Sequence, residues 1–504
     1  MITGKVILLE NHEAQSSISR LESGYVGIVK GIHLSAILDL FSDFLRQRIS
    51  IFRDGKIEGK YVLYWMKHAV RAHENPALDV ALKISENLSL PLLVYHEISE
   101  EEPYASERRF AFEIEGARDV QQELQQRSID YLFWIQRRNA SRLLDSLAKE
   151  AAIVVAEDMP VPSEREAKQR LRDNSEVPIW LVDTACIVPM QVAGKAYDRA
   201  FVYRQQTAKE RAARLEAAYD EIDYHPSPMP KPELPEEQIA LERLDLTAPL
   251  SSPLPALLAS LDIDHEVKAV GDTTGGSIAG YQRWRSFVKK QLPRYDKDRN
   301  DPLLSPSSRM SAYLRLGHVS PFLIAREAAS FKSAAADKFL DELLVWRELA
   351  YTFCRFTPQL ESSEAIPAWA IQSLRDHESD RRPQIYSYDE LFFAQTNDRL
   401  WNAAQLSLLN RGELHNNVRM TWGKAFLQWT KDSEDALAKM ISLNHRLALD
   451  GNDPSSYGGL LWCLGQFDRP FEPEKPIFGV VRDRPAAVHA KRLDVEKYLL
   501  LIGS

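Results

Sequence analysis

Residues 61–95 read YVLYWMKHAVRAHENPALDVALKISENLSLPLLVY, and this stretch decides the fold. Two short apolar runs, YVLYW at Tyr61–Trp65 and PLLVY at Pro91–Tyr95, flank an amphipathic stretch at Ala77–Leu88. Short apolar runs rich in β-branched and aromatic residues suit buried strands, and the longer amphipathic segment between them suits a helix. The pattern continues with YLFWI at Tyr131–Ile135, IVVA at Ile153–Ala156 and IWLV at Ile179–Val182, with a second helical stretch at Glu107–Gln126. Such alternation predicts a parallel, doubly wound α/β domain of Rossmann-like type, placed at residues 57–190. No GxGxxG follows any strand, so the usual dinucleotide fingerprint is missing, and a sheet that holds no cofactor fits equally well.

Outward from this block the chain changes character. The first 56 residues stand as an unassigned N-terminal extension: VILLE and YVGIVKG suit short strands, and LSAILDLFSDFLRQRI has helical apolar spacing. Downstream, His225–Pro235 (HPSPMPKPELP) holds five prolines in eleven residues. Proline fixes φ and removes donors, so residues 191–272 read as an extended linker. After Gly275–Gly276 the pattern is helical almost to the end, and six of the ten tryptophans lie at or beyond Trp346. Residues 273–504 are therefore predicted to form an all-α domain.

Composition narrows the function classes. With 504 residues, 44% of them hydrophobic and 27% charged, the chain matches ordinary globular proteins and has room for two or three domains. No run of 18 or more apolar residues occurs, so no membrane span is expected, and MITGKVILLENHEAQ lacks the apolar core of a secretory signal. Cys186, Cys354 and Cys463 are too few and too scattered for a zinc or iron–sulfur site, so no metal is expected. A reducing cytoplasm is the expected compartment. The net charge of −9 argues against a nucleic-acid partner, but it is unevenly spread. Residues 273–504 hold 31 Lys and Arg against 28 Asp and Glu, a net of +3, leaving 32 against 44 for residues 1–272.

Four constellations in the helical half carry chemistry. Serines 305, 307, 308 and 311 cluster around Arg309 after a proline-rich turn, a pattern that suits an anion but equally an ordinary N-cap. Glu342 and Trp346 are four apart in DELLVWRELA, so on a helix a carboxylate and an indole share a wall that suits a planar ligand with imide groups. An amphipathic helix with a rim glutamate and a core tryptophan has the same spacing. Trp422 and Trp429 are seven apart, about 10 Å along a helix axis, a separation that suits electron hopping or a plain core stripe. Arg419 and Asp450 lie in separate segments and suit a buried ion pair, although the turn-forming DGNDP explains Asp450 by itself.

Taken together these motifs resemble the photolyase/cryptochrome family, and within it the class II cyclobutane pyrimidine dimer photolyases. The resemblance runs from about Tyr61 to Tyr498 and rests on Tyr295–Pro302 (YDKDRNDP), Ser308–Ser320, WREL at Trp346, LWNAAQ at Leu400, RMTW at Arg419 and LDGNDPSSYGGLLW at Leu449. It implies a non-covalent FAD in the helical domain, with Tyr295, Ser307, Ser308, Arg309, Met310 and Ser311 around the pyrophosphate and ribityl chain. Arg347 would sit at the phosphates or ring rim, Arg419 and Asp450 would pair beside the isoalloxazine, and Asn444 would face flavin N5. Glu342, Trp346, Met420 and Trp462 would contact the lesion.

The resemblance further implies an electron path through Trp422, Trp401 and Trp429, since intervals of 21 and 7 match the class II triad. The activity implied is light-driven splitting of dimers in UV-damaged DNA by electron transfer from excited, fully reduced FAD to a flipped-out lesion. A monomer is expected, with a deazaflavin or folate antenna possible on the sheet domain. His415 is followed at i+4 by Arg419, so the histidine pair of the (6-4) branch is absent. Departures from the class II pattern are His415–Val418 (HNNV), Thr421 where tyrosine is usual, and GVVRDRPAAVHAKR past Phe478. The alternative is a cryptochrome-like FAD photoreceptor without repair activity, favoured by the acidic balance and the altered tail.

Overall fold

The computed structural model describes residues 29–33, 37–229, 253–304 and 307–503, and VILLE lies outside them. The described residues hold eight strands: β1 (Val29–His33), β2 (Ile49–Arg53), β3 (Lys56–Gly59), β4 (Tyr61–Met66), β5 (Leu92–Ser99), β6 (Asp130–Gln136), β7 (Ala151–Glu157) and β8 (Ile179–Val182). Six form one sheet in the order β2-β8-β7-β4-β5-β6, while β1 and β3 pair separately as an antiparallel ribbon. β4 to β8 run parallel, and β2 closes the edge antiparallel to β8. β4 and β5 are buried along their whole length, as expected for strands covered on both faces.

Local signals set the crossover helices α1 (Pro76–Leu88), α2 (Glu107–Gln126), α3 (Leu143–Glu150) and α4 (Pro162–Asn174). Asn75 caps α1 by accepting from the Ala77 and Leu78 amides, with Pro76 at the first position, and Ser106 caps α2 through the Arg109 amide.

Two expectations need correction. The N-terminal extension is not outside the domain, because Ile49–Arg53 pairs with β8 in the main sheet. Its helical-looking run is short, Asp43–Arg46, because Ser42 caps a new start within it. Nor is 191–272 simply extended: a helix at Met190–Ala193 crosses into it, and it contains helices Ala200–Gln206, Ala208–Glu216 and Pro253–Ala259. Buried Tyr203 packs there with Val345 and Leu349 of the helical half, and Tyr219 donates to Asp79 of α1 at 2.6 Å. The prolines are dense only past His225, which left the preceding charged helices hidden behind an average.

The helical half carries α5 (Ser277–Lys290), α6 (Pro321–Ser330), α7 (Ala334–Asp341), α8 (Glu348–Phe356), α9 (Arg399–Arg411), α10 (Asn416–Trp429), α11 (Ser433–Leu447) and α12 (Pro454–Trp462). Its main core gathers Leu408, Trp401, Trp422, Phe426, Leu443 and Leu461. The halves are bonded together by buried groups. Arg108 of α2 donates to the carbonyls of Leu408, Leu409 and Leu447, and Glu348 accepts from the Ile187 and Val188 amides. Among the described residues no helix is long and apolar enough to cross a membrane.

Candidate active site

The indoles of α9 and α10 touch. Trp401 stacks on Trp422 with centroids 6.2 Å apart and planes 8° from parallel, and meets Trp429 edge-on at 5.3 Å. Both inner rings are anchored: Trp401 Nε1 donates to the Trp422 carbonyl at 3.0 Å, and Trp422 Nε1 donates to Gln405 Oε1 at 2.9 Å. Trp401 thus bridges the two tryptophans of α10, and the three rings form one unbroken aromatic line.

At the other end of α10, Arg419 Nη2 donates to both oxygens of Asp450, at 2.9 and 3.0 Å. Asp450 sits in the tight turn from α11 to α12. Gly451 permits that turn, since a Cβ there would lie 2.8 Å from the His445 Cα and carbonyl oxygen. Asp453 caps α12 by accepting from Ser455 N at 2.7 Å and also receives the Tyr351 hydroxyl at 2.6 Å. Asn444 is fully buried near the end of α11. Ser456 donates to the Asp450 carbonyl and so accepts from Asn444 Nδ2 at 3.2 Å. That leaves Asn444 Oδ1 buried with no protein partner. Its neighbour His445 is pushed down to about 3 by burial, so the imidazole is neutral.

A second wall faces solvent. Glu342 lies in a π-helical turn, Glu342–Arg347, inserted between α7 and α8, where wider turns often mark functional sites. Its carboxylate accepts from Arg299 at 2.6 Å and pairs with Lys338 at 2.7 Å. Trp346, on the same turn, is 37% exposed. Trp462, at the end of α12, is half-buried, and Met420 of α10 packs toward Gly459 of α12. With Trp369, these two indoles are the only tryptophans left unburied; the other seven are at most 8% exposed.

The loop before the short helix Ser311–Arg315 is only partly available for an anion. Ser307 and Ser311 are exposed, Ser308 accepts from the Met310 amide at 3.4 Å, and Met310 is buried. Arg309, in a left-handed conformation (φ 53°), bonds Glu413, Asp272 and Thr273, so its charge is already paired. Tyr295 packs edge-on to Phe287 and Phe339. Arg347 turns toward the sheet domain, donating to the Ala185 carbonyl at 2.7 Å and lying 4.3 Å over Tyr351, while its Nη2 is buried without a partner.

Residues 62–233 match the family model for DNA photolyase. A deoxyribodipyrimidine photo-lyase of Methanothermobacter thermautotrophicus is 32% identical over 84% of this chain and 91% of its own length. The chain belongs to the photolyase/cryptochrome family. A second such relative, from Arabidopsis thaliana, is 30% identical over 88% of this chain and 89% of its own. A class III photolyase structure from Agrobacterium tumefaciens shares the fold, with a TM-score of 0.63 at 17% identity, covering 88% of this chain and 86% of that one.

Family membership implies FAD, and the donor set fits it. Asn444 Oδ1 and Arg347 Nη2 are buried polar atoms awaiting partners. An acceptor left bare suits an N–H or O–H donor on a bound group. Partners not foreseen from sequence are Arg299 and Lys338 on Glu342, Gln405 on Trp422, and Lys424, whose Nζ lies 4.9 Å from the Trp462 ring. Arg299 and Gln405 belong to the quoted RNDP and LWNAAQ motifs, so their signal was present, but without their counterparts beside them. At the switch point of the sheet, past the ends of β4 and β7, Lys67 pairs with Glu102 at 2.8 Å and with Glu164 at 3.0 Å.

Proposed function

We propose that this chain is a light-driven DNA-repair lyase that splits cyclobutane pyrimidine dimers, of class II type. The observation that carries the reading is the unbroken line of indoles, Trp422–Trp401–Trp429, two of which stand on the helix that also bears Arg419 and Met420. A lesion lies inside the duplex and must be flipped out to meet a pocket. Trp346 and Trp462 offer flat faces to its bases, and Glu342 accepts an imide N–H. Arg299 and Lys338 keep that carboxylate aimed, so no reorganisation is needed when the lesion arrives. Arg419, Asp450 and Asn444 would hold the ring system of the cofactor, with Met420 packed against α12 one residue on from Arg419. Bound FAD supplies a light-driven electron, lent to the dimer and returned. The rest of the work is positioning, exclusion of water and charge placement by this chain.

Exposed Lys491 and Arg492, in the altered tail, provide a basic rim for phosphates flanking the lesion, whereas Arg482 pairs with Asp468 and Arg484 bonds Thr421 and Asn417. No step depends on a second chromophore: the ion-paired Lys67, Glu102 and Glu164 occupy the switch point where an antenna would be sought. The adjoining cleft of about 310 Å³ is lined by Glu100, Glu102, Asp262 and Asp264 together with Arg138 and Arg446, which pair with the two aspartates. The test is illumination of the fully reduced holoprotein with a thymine-dimer oligonucleotide. Restored thymines support repair, whereas an unchanged dimer overturns it and leaves a blue-light receptor.

A further inference from the structure

We propose that Lys424 is a positioning residue for this reaction: its ammonium, locked behind the indole of Trp462, holds that ring against the lesion and presents positive potential to the charge the dimer takes up. The proposal rests on the lesion pocket described above and adds a residue to it.

Lys424 lies one helical turn after Met420 on α10, so the two share a face toward α12. Its side chain is almost wholly buried (1% exposed), and Nζ has no hydrogen-bond partner. A buried ammonium without a partner is costly, and a hydrophobic residue of the same length would fill the space more cheaply. Nζ lies 4.9 Å from the centre of the Trp462 ring, and a cation on an indole face is attracted by the ring quadrupole, more strongly when desolvated. Arg482 approaches the same ring at 5.7 Å. Trp462 is thereby fixed by cations while part of it stays open toward the pocket.

The second effect is electrostatic. The dimer is neutral when bound, carries one extra electron while its ring opens, and returns that electron afterwards. The ammonium makes no bond and gives up no proton, but interacts more strongly with the transient anion than with the ground state, which is what accelerates a step. Low-dielectric surroundings amplify the interaction.

The charge is also conditional on pH. Burial lowers the Lys424 ammonium to about 8, with Cys463, Asp468 and Asp483 working against that shift and Arg482 with it. Burial pushes the Cys463 thiol up to about 11, so it titrates well above Lys424.

Wild type, Lys424→Met, Lys424→Arg and Trp462→Ala are compared as reduced holoproteins on a thymine-dimer oligonucleotide between about pH 6 and about pH 10. Trp462 emission is read in the dark over the same range. The wild-type repair rate is expected to fall about threefold to tenfold as pH rises through about 8. Lys424→Met is low and flat, and Lys424→Arg keeps its rate at high pH. The dark emission titrates in wild type and not in Lys424→Met. Identical pH profiles and emission in wild type and Lys424→Met overturn the proposal. If Lys424→Met does not fold, a wild-type profile that is flat through pH 8, or Lys424→Arg falling as wild type does, overturns it instead. Unchanged dimer affinity in Trp462→Ala would instead refute the lesion pocket itself.

Discussion

The sheet domain buries three tryptophans and the helical domain four, and three of those four are used differently from the sheet's. Trp65, Trp134 and Trp180 sit on β4, β6 and β8, and among the described residues no ring contact joins them. Trp65 Nε1 and Trp180 Nε1 are buried without partners. Trp401, Trp422 and Trp429 are in ring contact, and two of their indole N–H groups are bonded. Burial is the same in both sets, so burial cannot distinguish a filler from a conductor. Ring-to-ring contact can, and so can the anchoring that fixes each ring in one orientation.

The contrast can be broken by matched substitutions. Trp401→Phe should slow light-driven reduction of the flavin by roughly tenfold or more, a barrier rise of at least about 1.4 kcal/mol, read from absorbance under blue light. Trp180→Phe should leave that rate unchanged. If both slow it equally, the aromatic line is not the route. Arg419→Met leaves the Asp450 carboxylate without its partner and should cost about 3 kcal/mol, measured by denaturant unfolding. Trp180→Phe should cost about 1–3 kcal/mol through lost packing alone.

A smaller effect compares the two domains by pH. Burial pushes both the Glu348 carboxyl, at the domain junction, and the Asp79 carboxyl, under the sheet, up to about 7. The folded chain then holds these protons more tightly than the unfolded one. The stabilisation is full below the ordinary carboxylate range and is lost as pH rises toward about 7. Glu348→Gln and Asp79→Asn should each flatten that slope by on the order of 1–3 kcal/mol, seen in melting curves taken at intervals across it. Two transitions, each responding to one substitution, would show that the halves unfold separately despite the bonds through Arg108 and Glu348.

The parallel strands were legible because each is a short apolar run with helical stretches between, and Ile179–Val182 and Glu107–Gln126 coincide with their predicted bounds. The antiparallel edge strand Ile49–Arg53 was not, since ISIFR is half-exposed and follows a run with helical spacing. In the candidate site, residues on one helix could be related by spacing, as with Glu342 and Trp346. Partners on different elements could not: Arg299 is 43 positions from Glu342, and Gln405 is 17 from Trp422. Arg309 misled for a related reason, because Asp272 and Glu413, which pair with it, are remote in sequence.

The most direct measurement takes Trp422→Phe holoprotein in two states. Starting from oxidised flavin, blue light should fail to bring it to the reduced form at the wild-type rate. Once chemically reduced, the same protein should repair a thymine-dimer oligonucleotide as wild type does. Photoreduction at the wild-type rate, or loss of repair in the reduced protein, would contradict the assignment of the indole line as the electron route beside a separate lesion pocket.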